Sequence, residues 1–163
     1  MKVNHAGEHG AVNIYAGQIA VAKLTARALL PDLTDFKAHE ERHRNIFSKE
    51  LKRRGLRRCR SYWLCGIGGY MLGFITGLMG VQAITTTTVA VERIVLRHLQ
   101  QQLLEITESD SEAITAISAI LSEEQSHHDQ FAAFISRPIL LYRMLGSTIS
   151  AATESVIWIG MRI

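Results

Sequence analysis

The sequence predicts an all-α protein, and this prediction rests on its composition and on one internal repeat. Only two prolines occur in 163 residues, and few segments alternate apolar and polar residues as a half-buried strand does. The pattern E-x-x-H-x-x-x-F occurs twice, beginning at Glu40 and again 84 positions later at Glu124. In a helix, the glutamate and histidine of such a motif share one face and lie within one turn. A chain of 163 residues is long enough for one domain with its own core.

Two further glutamates obey the same offset. Glu8 precedes Glu40 by 32 positions, and Glu92 precedes Glu124 by the same 32 positions. Singly, each residue has an ordinary explanation, since an isolated E-x-x-H fits a solvated helix face and a glutamate near a helix start is favoured by the helix dipole. Those explanations do not account for a shared offset. The offset of 84 residues predicts a duplicated set of metal ligands, which consists of Glu8, Glu40, His43, Glu92, Glu124 and His127.

Apolar periodicity and helix-ending residues place these ligands on four helices. Asn4 is the expected N-cap of the first helix, and Pro31 is its expected end. Gly55 is expected to end the second helix, and Ser109 or Asp110 to cap the last of the four. The predicted ligand helices cover residues 4–29, 34–54, 82–107 and 110–136.

A glutamate from each of two helices and an E-x-x-H from each of the other two form the ligand set of ferritin-like di-iron bundles. Carboxylates with one imidazole per metal suit iron or manganese, and four carboxylates neutralise two divalent ions in a buried core. Glu8, Glu40 and His43 are assigned chiefly to one iron, and the corresponding residues 84 positions later to the other. Glu40 and Glu124 are the expected bridging ligands. His98 is open to two interpretations, a group near the substrate or a histidine satisfied within the bundle.

Residues 61–91 contain no Asp, Glu, Lys, Arg or His. A run of this length can span a membrane, but a single span here would place the two halves of the ligand set on opposite sides of the membrane. We therefore expect a helix over about 62–80 that lies in the membrane interface or packs along the bundle and turns near Gly80, with a true span as the alternative. Its glycines, Gly69, Gly73 and Gly77, allow close approach of another helix. A second hydrophobic helix is predicted over about 138–161.

The segment 49–60 carries seven basic residues and one acid. It fits either a solvated helix end or a patch that meets anionic lipid headgroups. No nucleic-acid partner is expected, because no recognition motif is found and the net charge is only +3. Cys59 and Cys65 are too few for a disulfide framework, which favours reduced thiols.

The segments VNHAGEHGAVNIYAGQ, HEERH, VAVE and SEEQSHHD resemble the demethoxyubiquinone hydroxylase family of ubiquinone biosynthesis. The resemblance covers nearly the whole chain and implies a single ferritin-like di-iron domain over 1–163, a four-helix bundle with two additional hydrophobic helices. It also implies that the six residues named above are the ligands of two iron ions per chain. The chain departs from the pattern of some members at His9 and Leu99, where they carry Tyr, so a role for those tyrosines in electron delivery does not transfer.

The implied activity is an O2-dependent hydroxylation of the ring of a polyprenylated demethoxybenzoquinone, with NADH as the electron source. The implied partners are the quinone, a membrane surface, and either a second copy of the chain or an accessory lipid-binding protein of the pathway. No presequence is visible, which favours peripheral attachment to the cytoplasmic face of a bacterial inner membrane over the mitochondrial inner membrane. Two rivals remain, a ferroxidase or iron-storage bundle and a metal-free helical protein that interacts with membranes.

Overall fold

A computed structural model describes residues 1–106, 110–135 and 139–162, and these residues form six α-helices. The prediction of an all-α protein is confirmed. The helices are α1 Lys2–Thr25, α2 Leu30–Arg53, α3 Tyr62–Leu78, α4 Val81–Glu105, α5 Ser111–Ala132 and α6 Leu140–Gly160. Ser109, Pro138 and the predicted helix ends at 107 and 136 lie outside the described residues.

Two of the predicted helix boundaries are wrong. Asn4 is not an N-cap, because α1 already begins at Lys2 and Asn4 is buried within its first turn. Pro31 does not end α1, which stops at Thr25. A 3-10 turn, Arg27–Leu29, follows, and Pro31 lies in the first turn of α2. A proline is tolerated there because the first N–H groups of a helix have no intrahelical partner.

Three predicted stops and turns are confirmed. Gly55 follows α2 with a φ of 63°, and its N–H donates to the carbonyl of Lys52 over 3.0 Å. Gly80 has a φ of 87° and separates α3 from α4. Asp110 occupies the N-cap position of α5. Glycine adopts a positive φ at little steric cost, which is why these two positions end helices.

The chain forms two compact units. The first comprises Met1–Ile84 and the C-terminal segment from Ser155, and the second comprises Thr85–Glu154. In the first unit α1 packs against both α2 and α3. The ring of Tyr15 meets that of Phe36 edge-on at 5.8 Å, and both residues are buried. α1 is therefore the central helix of this unit.

Glycines bring α1 and α3 into backbone contact. A Cβ atom added to Gly73 would overlap the carbonyl of Ile14, and one added to Gly69 would overlap the carbonyl of Gly10. The hydroxyl of Thr25 donates to the carbonyl of Gly77 over 2.6 Å at the far end of the same contact. Of the alternatives for the uncharged segment, the structure therefore shows a helix packed along its own unit. The glycine pattern that predicted close approach is confirmed.

In the second unit, α6 is tied to α4 by polar contacts at its surface. The hydroxyl of Ser150 donates to the carbonyl of Ala90 over 3.3 Å, and Arg97 pairs with Glu154 at 2.7 Å. The core beneath is aliphatic and aromatic, and consists of Val89, Ala90, Val91, Ile94, Leu96, Leu99, Ala113, Ile117, Ile120, Phe131 and Ile149.

Within the described ranges, no helix combines the length and the hydropathy that a membrane crossing requires. The face of α3 turned away from α1 is nevertheless apolar and exposed. It comprises Leu64, Ile67, Tyr70, Met71, Phe74, Ile75 and Leu78.

Candidate metal centre

The first half of the predicted ligand set comes together in the first unit. Glu8 lies on α1, and Glu40 and His43 lie on α2. The Nδ1 atom of His43 is 3.9 Å from Oε2 of Glu8 and 3.7 Å from Oε2 of Glu40. Their candidate ligand atoms all lie within 4.8 Å of one another. Two donors that are each about 2.1 Å from one ion lie at most about 4.2 Å apart, so both histidine–glutamate distances fit a shared ion.

The sequence of α2 explains why these side chains point inward. Glu40, His43 and Phe47 are spaced by three and four residues and are all buried, so they form one face. Arg42 is exposed, and Glu41 pairs with Lys37 at 2.6 Å one turn earlier on the surface. The two residues between Glu40 and His43 thus take the solvated positions.

The second half comes together in the second unit with the same local geometry. Glu92 lies on α4, and Glu124 and His127 lie on α5. The Nδ1 atom of His127 is 3.7 Å from Oε2 of Glu124, the distance found in the first E-x-x-H motif. The ligand atoms of these three residues also lie within 4.8 Å of one another. His128, the next residue, pairs instead with Asp129 at 2.9 Å on the exposed side of α5.

The burial and charge of each half fit one divalent cation. All six side chains are buried, and buried carboxylates are costly unless they are paired or coordinate a metal. Each half supplies two carboxylates and one imidazole, so one divalent ion would leave it neutral. The donor set of oxygen with one imidazole nitrogen suits iron and manganese.

His98 lies on α4, six residues after Glu92, and is half-buried. Its Nε2 atom is buried and has no hydrogen-bond partner among the described residues. Burial lowers the pKa of this imidazole below its usual value, which favours the neutral ring. The interpretation of His98 as a fully satisfied histidine is therefore not supported.

Two histidines beside Glu8 belong to its surroundings: His5, which was not predicted to lie near the site, and His9, which was noted only as a departure from the family pattern. The rings of His5 and His9, which flank Glu8 on α1, both stack on the ring of Tyr62, at 4.9 and 4.0 Å. Burial is the main cause that lowers the pKa of both histidines, and the positive charge of the Arg44 guanidinium lowers it further. The sequence does contain one indication that His5 lies near the metal ligands, because His5 and Glu8 are three residues apart and therefore share one face of a helix.

Comparison with known proteins assigns the chain to a family. The family described as "Ubiquinone biosynthesis protein COQ7" matches residues 1–160. The chain belongs to this family. The resemblance found in the motifs is thereby confirmed.

Among relatives in the COQ7 family, the 3-demethoxyubiquinol 3-hydroxylase of Rhodospirillum rubrum is 31% identical over 163 residues, which are 100% of this chain and 76% of the relative. The mitochondrial NADPH-dependent 3-demethoxyubiquinone 3-hydroxylase of Dictyostelium discoideum is 27% identical over 166 residues, with the same two shares. The human protein of that name is 30% identical over 167 residues, again covering 100% of this chain and 76% of the relative. Relatives named as hydroxylases therefore occur in both bacteria and eukaryotes.

Proposed function

We propose that this protein is a di-iron, O2-dependent monooxygenase that hydroxylates the ring of a polyprenylated demethoxybenzoquinone in ubiquinone biosynthesis. One observation carries the proposal. This chain belongs to the COQ7 family, in which a relative is named 3-demethoxyubiquinol 3-hydroxylase, and it contains two buried groups, each of two glutamates and one histidine. The distance between the histidine and the glutamate of the E-x-x-H motif is the same in both groups. We propose that the two groups combine in a single ferritin-like domain over 1–163.

In this proposal each group holds one iron. Glu8, Glu40 and His43 would hold chiefly the first ion, and Glu92, Glu124 and His127 would hold the second. Bound ferrous ions would supply the electrons with which dioxygen is activated. The burial of the carboxylates keeps bulk water from the ligands, and within each group the candidate ligand atoms lie within 4.8 Å of one another.

The overall reaction balances with a two-electron donor. One atom of O2 enters a ring C–H bond and becomes the new hydroxyl group, and the other leaves as water with two protons and the two electrons of the donor. Relatives are named NADPH-dependent, which supports a reduced nicotinamide dinucleotide, NADH or NADPH, as the donor here. Apart from binding the ions, the protein must position the quinone ring and admit this reductant.

A polyprenylated substrate is dissolved in a bilayer, which supports peripheral attachment to a membrane. The exposed apolar face of α3 offers a surface that can enter the acyl-chain boundary. Lys49 and Lys52, in the basic segment 49–60 that precedes α3, are exposed and can meet anionic headgroups. We place the protein on the cytoplasmic face of a bacterial inner membrane, with the mitochondrial inner membrane as the alternative; relatives occur in a bacterium and in mitochondria.

Replacing Leu64 and Ile67 together with serine is expected to weaken binding to anionic vesicles by at least tenfold, because burial of one such side chain contributes about 1.5–3 kcal/mol. Both side chains are more than half exposed on α3. Co-sedimentation with vesicles of phosphatidylglycerol and phosphatidylcholine measures the effect. Leu24→Ser is the matched control, since Leu24 is 88% exposed on α1. Equal binding by the double variant and the control would show that α3 is not the attached surface.

Product analysis tests the proposed activity directly. The iron-loaded protein is incubated with a short-tailed demethoxyquinone, NADH and O2, and mass spectrometry is expected to show the addition of one oxygen atom that comes from labelled O2. A ferroxidase would oxidise ferrous iron and leave the quinone unchanged. Purified protein that holds far fewer than two irons per chain under conditions that preserve iron would exclude the di-iron site.

A further inference from the structure

A cluster of aromatic and cationic side chains lies beside Glu8, and we call it the Tyr62 cluster: His5, His9, Arg58, Tyr62 and Trp63. The rings of His9 and Tyr62 are parallel, with an interplanar angle of 2° and a centroid distance of 4.0 Å. Trp63 meets the Tyr62 ring edge-on at 5.4 Å. The guanidinium of Arg58 lies 5.0 Å from the ring centroids of both Tyr62 and Trp63.

The cluster is held rigidly at its base. A Cβ atom added to Gly66 would lie 2.5 Å from Nε2 of His9, so the imidazole packs directly on the α3 backbone. Asn13 donates from its amide nitrogen to the carbonyl of His9 over 2.7 Å, one turn further along α1. The stacked rings therefore have little freedom to rearrange.

The outer part of the cluster is exposed to solvent. Trp63 is 60% exposed. Arg57, Arg58 and Arg60 are exposed and form no ion pair with any described residue. An exposed indole with unpaired guanidinium groups beside it provides one surface for a planar ring and several donors for phosphate oxygens.

The inner part contains a polar atom that the chain does not satisfy. The Nδ1 atom of His5 is buried and has no hydrogen-bond partner among the described residues. An unpaired buried polar group costs about 1–3 kcal/mol. Aromatic packing alone does not account for a histidine at this position, since an apolar side chain would stack on Tyr62 without that cost.

We propose that the Tyr62 cluster is the docking site of the reductant, a reduced nicotinamide dinucleotide. A flat ring of the dinucleotide stacks on Trp63, and its pyrophosphate is bound by Arg58 with Arg57 or Arg60. Aromatic side chains bind planar bases by stacking, and guanidinium groups bind phosphate through paired hydrogen bonds. The inference rests on the proposed function, which requires a two-electron donor.

The position of the cluster favours this ligand over a lipid headgroup. His5 and His9 lie on α1 on either side of Glu8, so a molecule docked on the cluster is next to the first half of the metal centre. A headgroup supplies a phosphate but no planar ring for the indole. The apolar face of α3 that we assign to the membrane begins one residue after Trp63, and the ring of Tyr62 turns instead towards α1.

Direct titration tests the proposal on the iron-loaded protein. NADH and NADPH are added, and binding is followed by energy transfer from tryptophan to the reduced nicotinamide. Arg58→Ala is expected to weaken binding about tenfold, the loss of one stacked and phosphate-binding guanidinium. Trp63→Phe is expected to weaken binding as well, because a phenyl ring offers a smaller stacking surface than an indole. The protein contains only one other tryptophan, Trp158.

The chain offers a matched control at the other end of α1. Arg27 is exposed in the 3-10 turn that follows α1, whereas His5 and His9 lie near the start of this helix. Arg27→Ala is expected to bind both dinucleotides as the unmodified protein does. Equal weakening by Arg58→Ala and Arg27→Ala would indicate general charge attraction and overturn the proposal, as would unchanged binding by Arg58→Ala.

Two further measurements separate docking from other roles. Arg58→Ala is expected to raise the KM for NADH about tenfold, and its NADH-driven rate should fall relative to its dithionite-driven rate. If vesicles of phosphatidylglycerol displace NADH and Arg58→Ala loses affinity for those vesicles, the cluster is a headgroup site and the proposal is wrong. Failure of dithionite-driven quinone hydroxylation by the unmodified protein, with NADH binding intact, would refute the proposed function and leave the docking site standing.

Discussion

Replacing Glu124 or His127 with alanine is expected to lower the iron content from two ions per chain to about one. Quinone hydroxylation is expected to fall by more than about a hundredfold, because loss of a ligand should cost more than loss of a residue that only hydrogen-bonds to a ligand. Each variant removes one donor of a buried group that also contains Glu92. Without Glu124 one carboxylate remains to balance a divalent ion, and without His127 the charge is balanced but the nitrogen donor is lost. Iron analysis and product analysis by mass spectrometry measure the two effects on the same preparations.

The neighbouring histidine provides the control. His128→Ala removes an imidazole from the same turn of α5, but one that pairs with the exposed Asp129. It is expected to retain two irons and nearly full activity. Circular dichroism should show that all three variants keep their helical content. Full iron content in the Glu124 or His127 variant would refute the ligand assignment.

Replacing Gly73 with valine is expected to destabilise the protein by about 3 kcal/mol, the upper range for overpacking a well-packed contact. The first added carbon would already overlap the carbonyl of Ile14, and backbone cannot move aside as a flexible side chain can. The two helices must therefore separate along their whole contact, which also loosens Gly10 and Gly69. Urea unfolding followed by circular dichroism measures the change.

Gly68→Ala is the matched control on the same helix. Gly68 is exposed on α3, and nothing lies within 4 Å of an added Cβ atom. Alanine is a better helix former than glycine by about 1 kcal/mol, so this variant should be as stable as the unmodified protein or more so. Opposite signs for the two substitutions would demonstrate the α1–α3 contact. A stable Gly73→Val protein would contradict it.

Periodic features of the chain were predicted correctly because each depends on spacing along a single helix. The 84-residue offset predicted two groups of the same composition, and both E-x-x-H motifs show the same 3.7 Å distance. The spacing of Gly69, Gly73 and Gly77 predicted a close helix contact in the same way. The boundary at Pro31 was predicted wrongly, because proline is compatible with both the end of one helix and the first turn of the next.

The sequence by itself therefore determined the helices, the two sets of candidate ligands and the α3 surface that approaches another helix. Only the tertiary structure decided which helix α3 contacts and that Tyr62 stacks on His5 and His9. These contacts join residues more than 50 positions apart, and no local periodicity encodes such a pairing. Close approach through glycine backbones brings α1 and α3 near enough for these rings to meet, and in this way the packing creates the cluster that we assign to the reductant.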